Sequence, residues 1–139
     1  YADTGQRDTA DAMLASLANG AVTDAKALID MGMAAAQLED LPLAERFFRE
    51  AVEREPQVAT AREHLGVVLG MQGRSADAAA QFEAAVRLDP SRGTAHFHLA
   101  VAYAQLGRFR EARAHAEDAA RLNPRDGAAQ ALLARLPGS

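Results

Sequence analysis

The 139-residue sequence contains no cysteine and no tryptophan, and only 5% of its residues are aromatic. The absence of cysteine excludes disulfides, a thiolate nucleophile and a cysteine-ligated zinc ion. Residues that favour strands are also scarce, since Val, Ile and Thr together number thirteen, against 34 alanines. Because alanine has the highest helix propensity and β-branched residues favour strands, the composition predicts an all-helical protein.

The sequence also lacks an excess of positive charge. Its 15 basic and 19 acidic residues give a net charge of −4, the wrong sign for a surface that neutralises phosphates, so we expect no nucleic-acid partner. No apolar run approaches the roughly 18 residues of a membrane span, and we expect no membrane partner. The absence of cysteine fits the bacterial cytoplasm and the periplasm equally, which leaves the localisation open.

An internal repeat organises the chain. Prolines recur every 34 residues, at positions 56, 90 and 124. This spacing indicates an internal repeat of the same length. Three consecutive 34-residue segments can be aligned with one another, and small residues and phenylalanines then fall at matching positions. The segments are 25–58, 59–92 and 93–126, and the matching residues are Gly32, Gly66 and Ala100; Ala44, Ala78 and Ala112; and Phe48, Phe82 and Ala116.

This pattern resembles the tetratricopeptide repeat, whose signature is W-x₂-L-G-x₂-Y, then A-x₃-F, then P, over a helix–turn–helix unit of 34 residues. No segment has the tryptophan, and Leu28, Arg62 and His96 stand at that position. The resemblance implies one all-α domain, a right-handed helical-hairpin repeat solenoid of about eight antiparallel helices. Besides the three repeats we predict a flanking helix over 8–24 and a capping helix over 127–136.

The turns between the two helices of a repeat carry local signals. Gly73 and Gly107 are predicted to end the first helix in a left-handed conformation, which glycine adopts at least cost. Ser75 is predicted to cap the helix that follows. The first repeat has Glu39 and Asp40 at this turn instead, and we predict that Asp40 provides the cap.

The resemblance further implies that the first helix of each repeat lines a concave groove. Such a groove would be largely apolar here, which is typical of surfaces that bind a helix or an extended peptide. The residues that we predict to line it are Ile29, Asp30, Met33, Gln37, Glu63, His64, Val67, Met71, Phe97, His98, Val101 and Gln105.

The best-known members of this family hold the C-terminal carboxylates of a peptide with lysine, asparagine and arginine side chains at five groove positions. In this chain those positions hold Ile29, Met33, His64, Thr94 and His98. None of them supplies an amide or a permanent cation for a carboxylate. We therefore expect no carboxylate clamp and no binding of chaperone tails.

One polar set stands out in the predicted groove. Asp30, His64 and His98 occupy the same place in three successive repeats, which predicts a polar row across adjacent helices. Such a row suits a metal ion, a titratable anchor for a ligand, or solvated polar side chains. Solvated side chains are the commonest of the three, and we predict no metal and no cofactor.

Residues with the pattern of an active site are not found. No serine has a histidine beside it in a triad arrangement, and the glycines at 32, 66 and 70 lie in predicted helices rather than in phosphate-binding loops. We predict that the chain is not an enzyme but a protein–protein interaction module and scaffold, which binds a peptide or helix of a partner.

Two alternatives stay open. The first is an accessory domain with a structural or self-associating (dimerising) role in a larger bacterial polypeptide. In one form of this alternative the larger polypeptide is an enzyme. It is suggested by a chain that begins with Tyr1 and by its preference for arginine over lysine. The second is a small metal-dependent or hydrolytic enzyme, which would need Asp30, His64 and His98 to hold a metal or substrate.

Overall fold

The computed structural model describes residues 24–137. This part of the chain forms seven α-helices and no strand, in agreement with the predicted all-α repeat solenoid. The flanking helix predicted over 8–24 lies outside the described residues except for Asp24, which is the N-cap of the first described helix. The helices are α1 (Ala25–Gln37), α2 (Leu41–Arg54), α3 (Ala59–Met71), α4 (Ser75–Leu88), α5 (Gly93–Gln105), α6 (Phe109–Leu122) and α7 (Gly127–Arg135).

The helices pack as a linear series of hairpins. Each helix contacts the next one along the chain, most extensively within the pairs α1 and α2, α3 and α4, and α5 and α6. The odd-numbered helices also approach one another, α1 with α3, α3 with α5 and α5 with α7, so that they form one layer of the solenoid. Within residues 24–137, none of these helices combines the length and apolar character needed to cross a bilayer.

The turns inside the hairpins confirm the glycine prediction. Gly73 has a φ of 81° and Gly107 a φ of 79°, both in the left-handed region. In the first hairpin Glu39 takes the same place with a φ of 62°. An L-residue in this conformation is strained, so the first turn keeps its shape without the residue that adopts it most easily.

Helix caps follow the prediction at Asp40 and depart from it at Ser75. Asp40 accepts a hydrogen bond from the backbone N–H of Leu43 at 3.1 Å, as predicted. Asp126 accepts one from the N–H of Ala128, also at 3.1 Å. The prediction for Ser75 is wrong, because α4 already begins at Ser75 and its N-cap is Arg74. The Ser75 hydroxyl instead donates to the Gln105 side-chain oxygen at 2.7 Å, which joins α4 to the end of α5.

Glycine and phenylalanine allow the helices of the first two hairpins to pack closely. A Cβ atom added to Gly32 would lie 2.5 Å from the Phe48 ring, and one added to Gly66 would lie 2.6 Å from the Phe82 ring. Both rings are buried. In the third hairpin the corresponding residues are two buried alanines, Ala100 and Ala116. Each glycine therefore makes the space that a phenylalanine fills.

Candidate functional site

The predicted groove residues lie on α1, α3 and α5, three helices of the odd-numbered layer. We call the face formed by these residues the concave surface, after the groove that the sequence predicts there. Its two methionines are accessible, with 41% of Met33 and 59% of Met71 exposed. Ile29 and Val67 are partly buried and pack against the hydrophobic core. The apolar residues of this surface therefore include two exposed methionines and the partly buried, branched side chains of Ile29 and Val67.

Glu63, one of the predicted groove residues, is buried. It is 7% exposed, and its Oε1 atom accepts a hydrogen bond from the Arg92 Nε atom at 2.8 Å. This partly buried ion pair joins α3 to the residue that precedes α5. The matching residues of the previous repeat junction, Ile29 and Val58, are apolar and packed against the core. A buried carboxylate needs such a partner, so Glu63 supports the junction between repeats.

A cavity of about 210 Å³ opens on the concave surface between α3, α4 and α5. Five of the predicted groove residues line it: Val67, Met71, His98, Val101 and Gln105. A second cavity of about 210 Å³ lies further along, and predicted groove residues Phe97 and His98 line it. His98 therefore stands between two neighbouring depressions, each large enough for a side chain of a bound peptide.

The two histidines of the concave surface stack on phenylalanines of the preceding hairpin. The His64 ring lies over Phe48 with centroids 5.4 Å apart, and the His98 ring lies over Phe82 at 5.3 Å. The Phe82 ring therefore lies close to both Gly66 and His98. This packing holds the two histidine rings in place and extends the hydrophobic core to the concave surface.

Burial sets the charge of these histidines. It lowers the pKa of His64, an effect that Glu63 opposes and Arg92 reinforces. Burial also lowers the pKa of His98, with Glu63 again opposing and His64 reinforcing the change. Both imidazoles are therefore neutral at neutral pH. The concave surface offers no cation at these two positions.

We expect the free energy of unfolding to decrease as the pH falls below about 6.5, the value for an unperturbed histidine. Above it both states hold neutral imidazole. Below it the unfolded chain takes up the proton first, because burial lowers the pKa of His64 in the fold, and protonation therefore favours unfolding. Urea unfolding at several pH values between about 7 and 5, with a chelator present, measures this effect.

His64→Gln provides the control for this pH dependence. The variant loses the stacking on Phe48 and is less stable at every pH, but its stability should vary less with pH than that of the original chain. A variant with an unchanged pH profile would show that His64 does not titrate in this range.

Among the residues that the structure describes, Asp30, His64 and His98 of the predicted polar row are not grouped closely enough to hold a metal ion together. Asp30 is exposed, whereas His64 and His98 are partly buried against their phenylalanines. Within residues 24–137, three potential metal ligands come together elsewhere, at His96, His115 and Asp118. In the sequence His96 stands out only as the residue at the tryptophan position of the repeat. Its meeting with His115 had no sequence signal, because the two residues lie 19 positions apart on different helices.

Comparisons with known proteins agree with the repeat fold. Two models of the tetratricopeptide repeat match the sequence, one over residues 29–93 and the other over residues 69–136. The chain belongs to the tetratricopeptide repeat family. No curated protein is detectably related to it by sequence.

Solved structures of tetratricopeptide repeat domains share the fold. The structure titled "First TPR of Spaghetti (RPAP3) bound to HSP90 peptide SRMEEVD" superposes with a TM-score of 0.79 at 19% identity, over 81% of this chain and 89% of that one. The Arabidopsis OM64 domain gives a TM-score of 0.77 at 22% identity, over 80% and 92%. YrrB, described as having an unusual peptide-binding site, gives 0.79 at 23%, over 93% of this chain and 66% of that one.

Proposed function

We propose that this tetratricopeptide repeat protein is a non-catalytic interaction module that binds an apolar peptide segment or helix of a partner protein on its concave surface. The observation that carries the proposal is the cavity of about 210 Å³ with Met71 and Val67 at its edge. Two of the structural neighbours bear titles that name a peptide or a peptide-binding site, which supports the same class of ligand.

The chemistry of the surface favours uncharged anchor side chains. Met33 and Met71 present flexible thioethers, which adapt to apolar groups of different shapes. Lining residues such as Val101 and Ala102 add fixed apolar walls to the cavity. A partner segment with Leu, Met or Phe at alternate or helical spacing would place one such side chain in each of the two cavities.

A ligand that ends in a cluster of carboxylates fits this surface poorly. Four of the five positions where family members carry clamp residues hold Ile29, Met33, His64 and His98 in this chain. Burial lowers the pKa of both histidines and keeps them neutral at neutral pH. A terminal carboxylate would lose water without gaining a cation. We therefore expect this protein to bind a different class of peptide from the HSP90 peptide in the neighbouring structure.

Met33→Glu combined with Met71→Glu should weaken peptide binding by about thirtyfold. The two side chains are exposed, so the fold should tolerate the change, whereas apolar anchors of a binding surface typically contribute at least about 1 kcal/mol each. Peptides selected from a random display library against the original chain provide the probe. Fluorescence anisotropy with a selected, labelled peptide gives the two affinities.

The matched control is Leu106→Glu combined with Phe109→Glu. These side chains are 40% and 42% exposed, which is similar to Met33, but they lie at the turn between α5 and α6. This control should bind the selected peptide as the original chain does. Equal binding by the methionine variant, or loss of binding in the control alone, would place the peptide site away from the concave surface.

The alternative function, a self-associating accessory domain, is favoured by the same exposed pair, Leu106 and Phe109. Light scattering of the purified chain distinguishes the two functions. A monomer that binds the selected peptides supports the interaction module. A dimer that Leu106→Glu with Phe109→Glu converts to monomer, together with a failure to select peptides, would support the accessory domain instead.

A further inference from the structure

Three side chains of the third hairpin converge at the contact between α5 and α6. His96 Nδ1 lies 3.1 Å from His115 Nδ1 and 3.9 Å from Asp118 Oδ2, and one ligand atom from each residue lies within 4.8 Å of the others. We propose that His96, His115 and Asp118 bind a single divalent transition-metal ion of the zinc type. This site is separate from the concave surface and independent of the proposed peptide binding.

The tautomer of His96 leaves a free lone pair in the cluster. Its Nε2 atom lies 2.9 Å from the backbone carbonyl oxygen of Pro90. A carbonyl oxygen only accepts hydrogen bonds, so Nε2 carries a proton, and in the neutral imidazole Nδ1 then keeps its lone pair. Metal-bound histidines commonly have this arrangement, in which the second ring nitrogen donates to a backbone carbonyl and orients the ring. His96 is 6% exposed, which holds the ring in place.

His115 is the second imidazole ligand. Burial lowers the pKa of His115, and the neighbouring His96 lowers it further, while Asp118, Glu83 and Glu111 raise it. A neutral imidazole is the form that binds a metal ion. In the metal-free chain the His115 Nδ1–H donates to His96 Nδ1. When a metal ion binds, this proton moves to Nε2 of His115, so that the ring stays neutral and Nδ1 becomes the ligand atom.

Asp118 completes the set from the same helix as His115. The two residues are three positions apart on α6, which puts their side chains on one face. Asp118 Oδ1 accepts a hydrogen bond from Arg121 at 3.1 Å, while Oδ2 is the oxygen nearer His96. Arg121 therefore orients the carboxylate, the role that outer partners have in metal sites.

The donor set selects the class of metal. Zinc binds imidazole nitrogen at about 2.0–2.1 Å and carboxylate oxygen at about 2.0–2.2 Å, so tetrahedral ligand atoms lie about 3.3 Å apart. The observed separations of 3.1 and 3.9 Å lie on either side of this value. Mg²⁺ and Ca²⁺ prefer oxygen ligands, and a site with two imidazoles discriminates against them. Three protein ligands leave one position for water.

The site is particular to the third repeat. The contact of His96 with a proline carbonyl has an equivalent in the second repeat, where the Arg62 Nε–H donates to the Pro56 carbonyl oxygen at 3.3 Å. The positions that correspond to His115 and Asp118 hold Gln81 and Ala84 there. General repeat packing therefore accounts for the place of His96, but it does not account for the two further ligands.

Calorimetric titration with zinc chloride tests the proposal, on chelator-treated protein that carries no histidine tag. We expect one zinc ion per chain and a melting temperature that rises with zinc. Asp118→Asn and His115→Gln should each weaken zinc binding at least about tenfold, because even the loss of an outer partner of a metal ligand typically costs about 10–100-fold. The matched control is His98→Gln, which removes a histidine outside the cluster and should leave zinc affinity unchanged.

The proposal is overturned if the original chain binds no zinc, if His115→Gln binds zinc as tightly as the original chain, or if His98→Gln is the variant that loses binding. Should His115→Gln fail to fold, Asp118→Asn decides, because Asp118 is 40% exposed and contributes little to packing. Unchanged zinc affinity in a folded Asp118→Asn protein would exclude the three-ligand site.

Discussion

Replacing Phe82 with alanine should lower the free energy of unfolding by about 3–5 kcal/mol, the usual cost of removing a buried phenylalanine. Phe82 is 4% exposed, and its ring fills the space over Gly66 and stacks on His98. The substitution therefore leaves a cavity where α3, α4 and α5 meet. In a repeat protein this loss weakens the interface between neighbouring repeats as well as the hairpin itself. Urea unfolding followed by circular dichroism gives the value.

Phe109→Ala is the control for this experiment. Phe109 is 42% exposed at the start of α6, and a substitution at such a site usually changes stability by less than about 0.5 kcal/mol. Since Phe82 also lines the cavity of the concave surface, Phe82→Ala should weaken binding of the selected peptides too. Similar losses of stability in the two variants would show that Phe82 does not join the repeats.

Two glycines of α3, four residues apart, should respond to alanine with opposite signs. A Cβ atom at Gly66 would lie 2.6 Å from the buried Phe82 ring, whereas one at Gly70 would meet its nearest atom, the Ala78 Cβ, at 3.9 Å. We expect Gly66→Ala to destabilise the protein by about 1–3 kcal/mol through overpacking. Gly70→Ala should stabilise it by about 0.5–1 kcal/mol, because alanine favours the helix.

The third hairpin suggests a second control. It has Ala100 and Ala116 where the second hairpin has Gly66 and Phe82. Gly66→Ala combined with Phe82→Ala should therefore lose less stability than the sum of the single variants, since the clash disappears with the ring. Additive losses, or equal effects of alanine at Gly66 and Gly70, would contradict the close packing of the second hairpin.

Features that depend on neighbouring residues were predictable. The left-handed turns at Gly73 and Gly107 and the cap at Asp40 depend on the conformation of a few adjacent residues. The Ser75 cap was wrong by a single position, because α4 begins one residue early and the serine hydroxyl bonds to Gln105 across the hairpins. A local motif cannot reveal a competing partner that lies 30 residues away.

The candidate site was only partly predictable. The repeat pattern predicted which helices carry the candidate surface. It did not distinguish Met71, which is 59% exposed, from Glu63, which is 7% exposed. These two residues lie on the same helix, and their burial depends on what α5 and the residue before it place opposite them. That information is not contained in the pattern of α3 alone.

The sequence by itself determined the all-helical class, the 34-residue period and the hairpin turns, because helix propensity, small residues and glycine act within one repeat. The tertiary structure alone decided which side chains meet between helices. Arg92 reaches Glu63 across 29 residues, and His96 reaches His115 across 19. Such contacts depend on the rotation and separation of packed helices, and these follow from the fit of many side chains together rather than from any single motif.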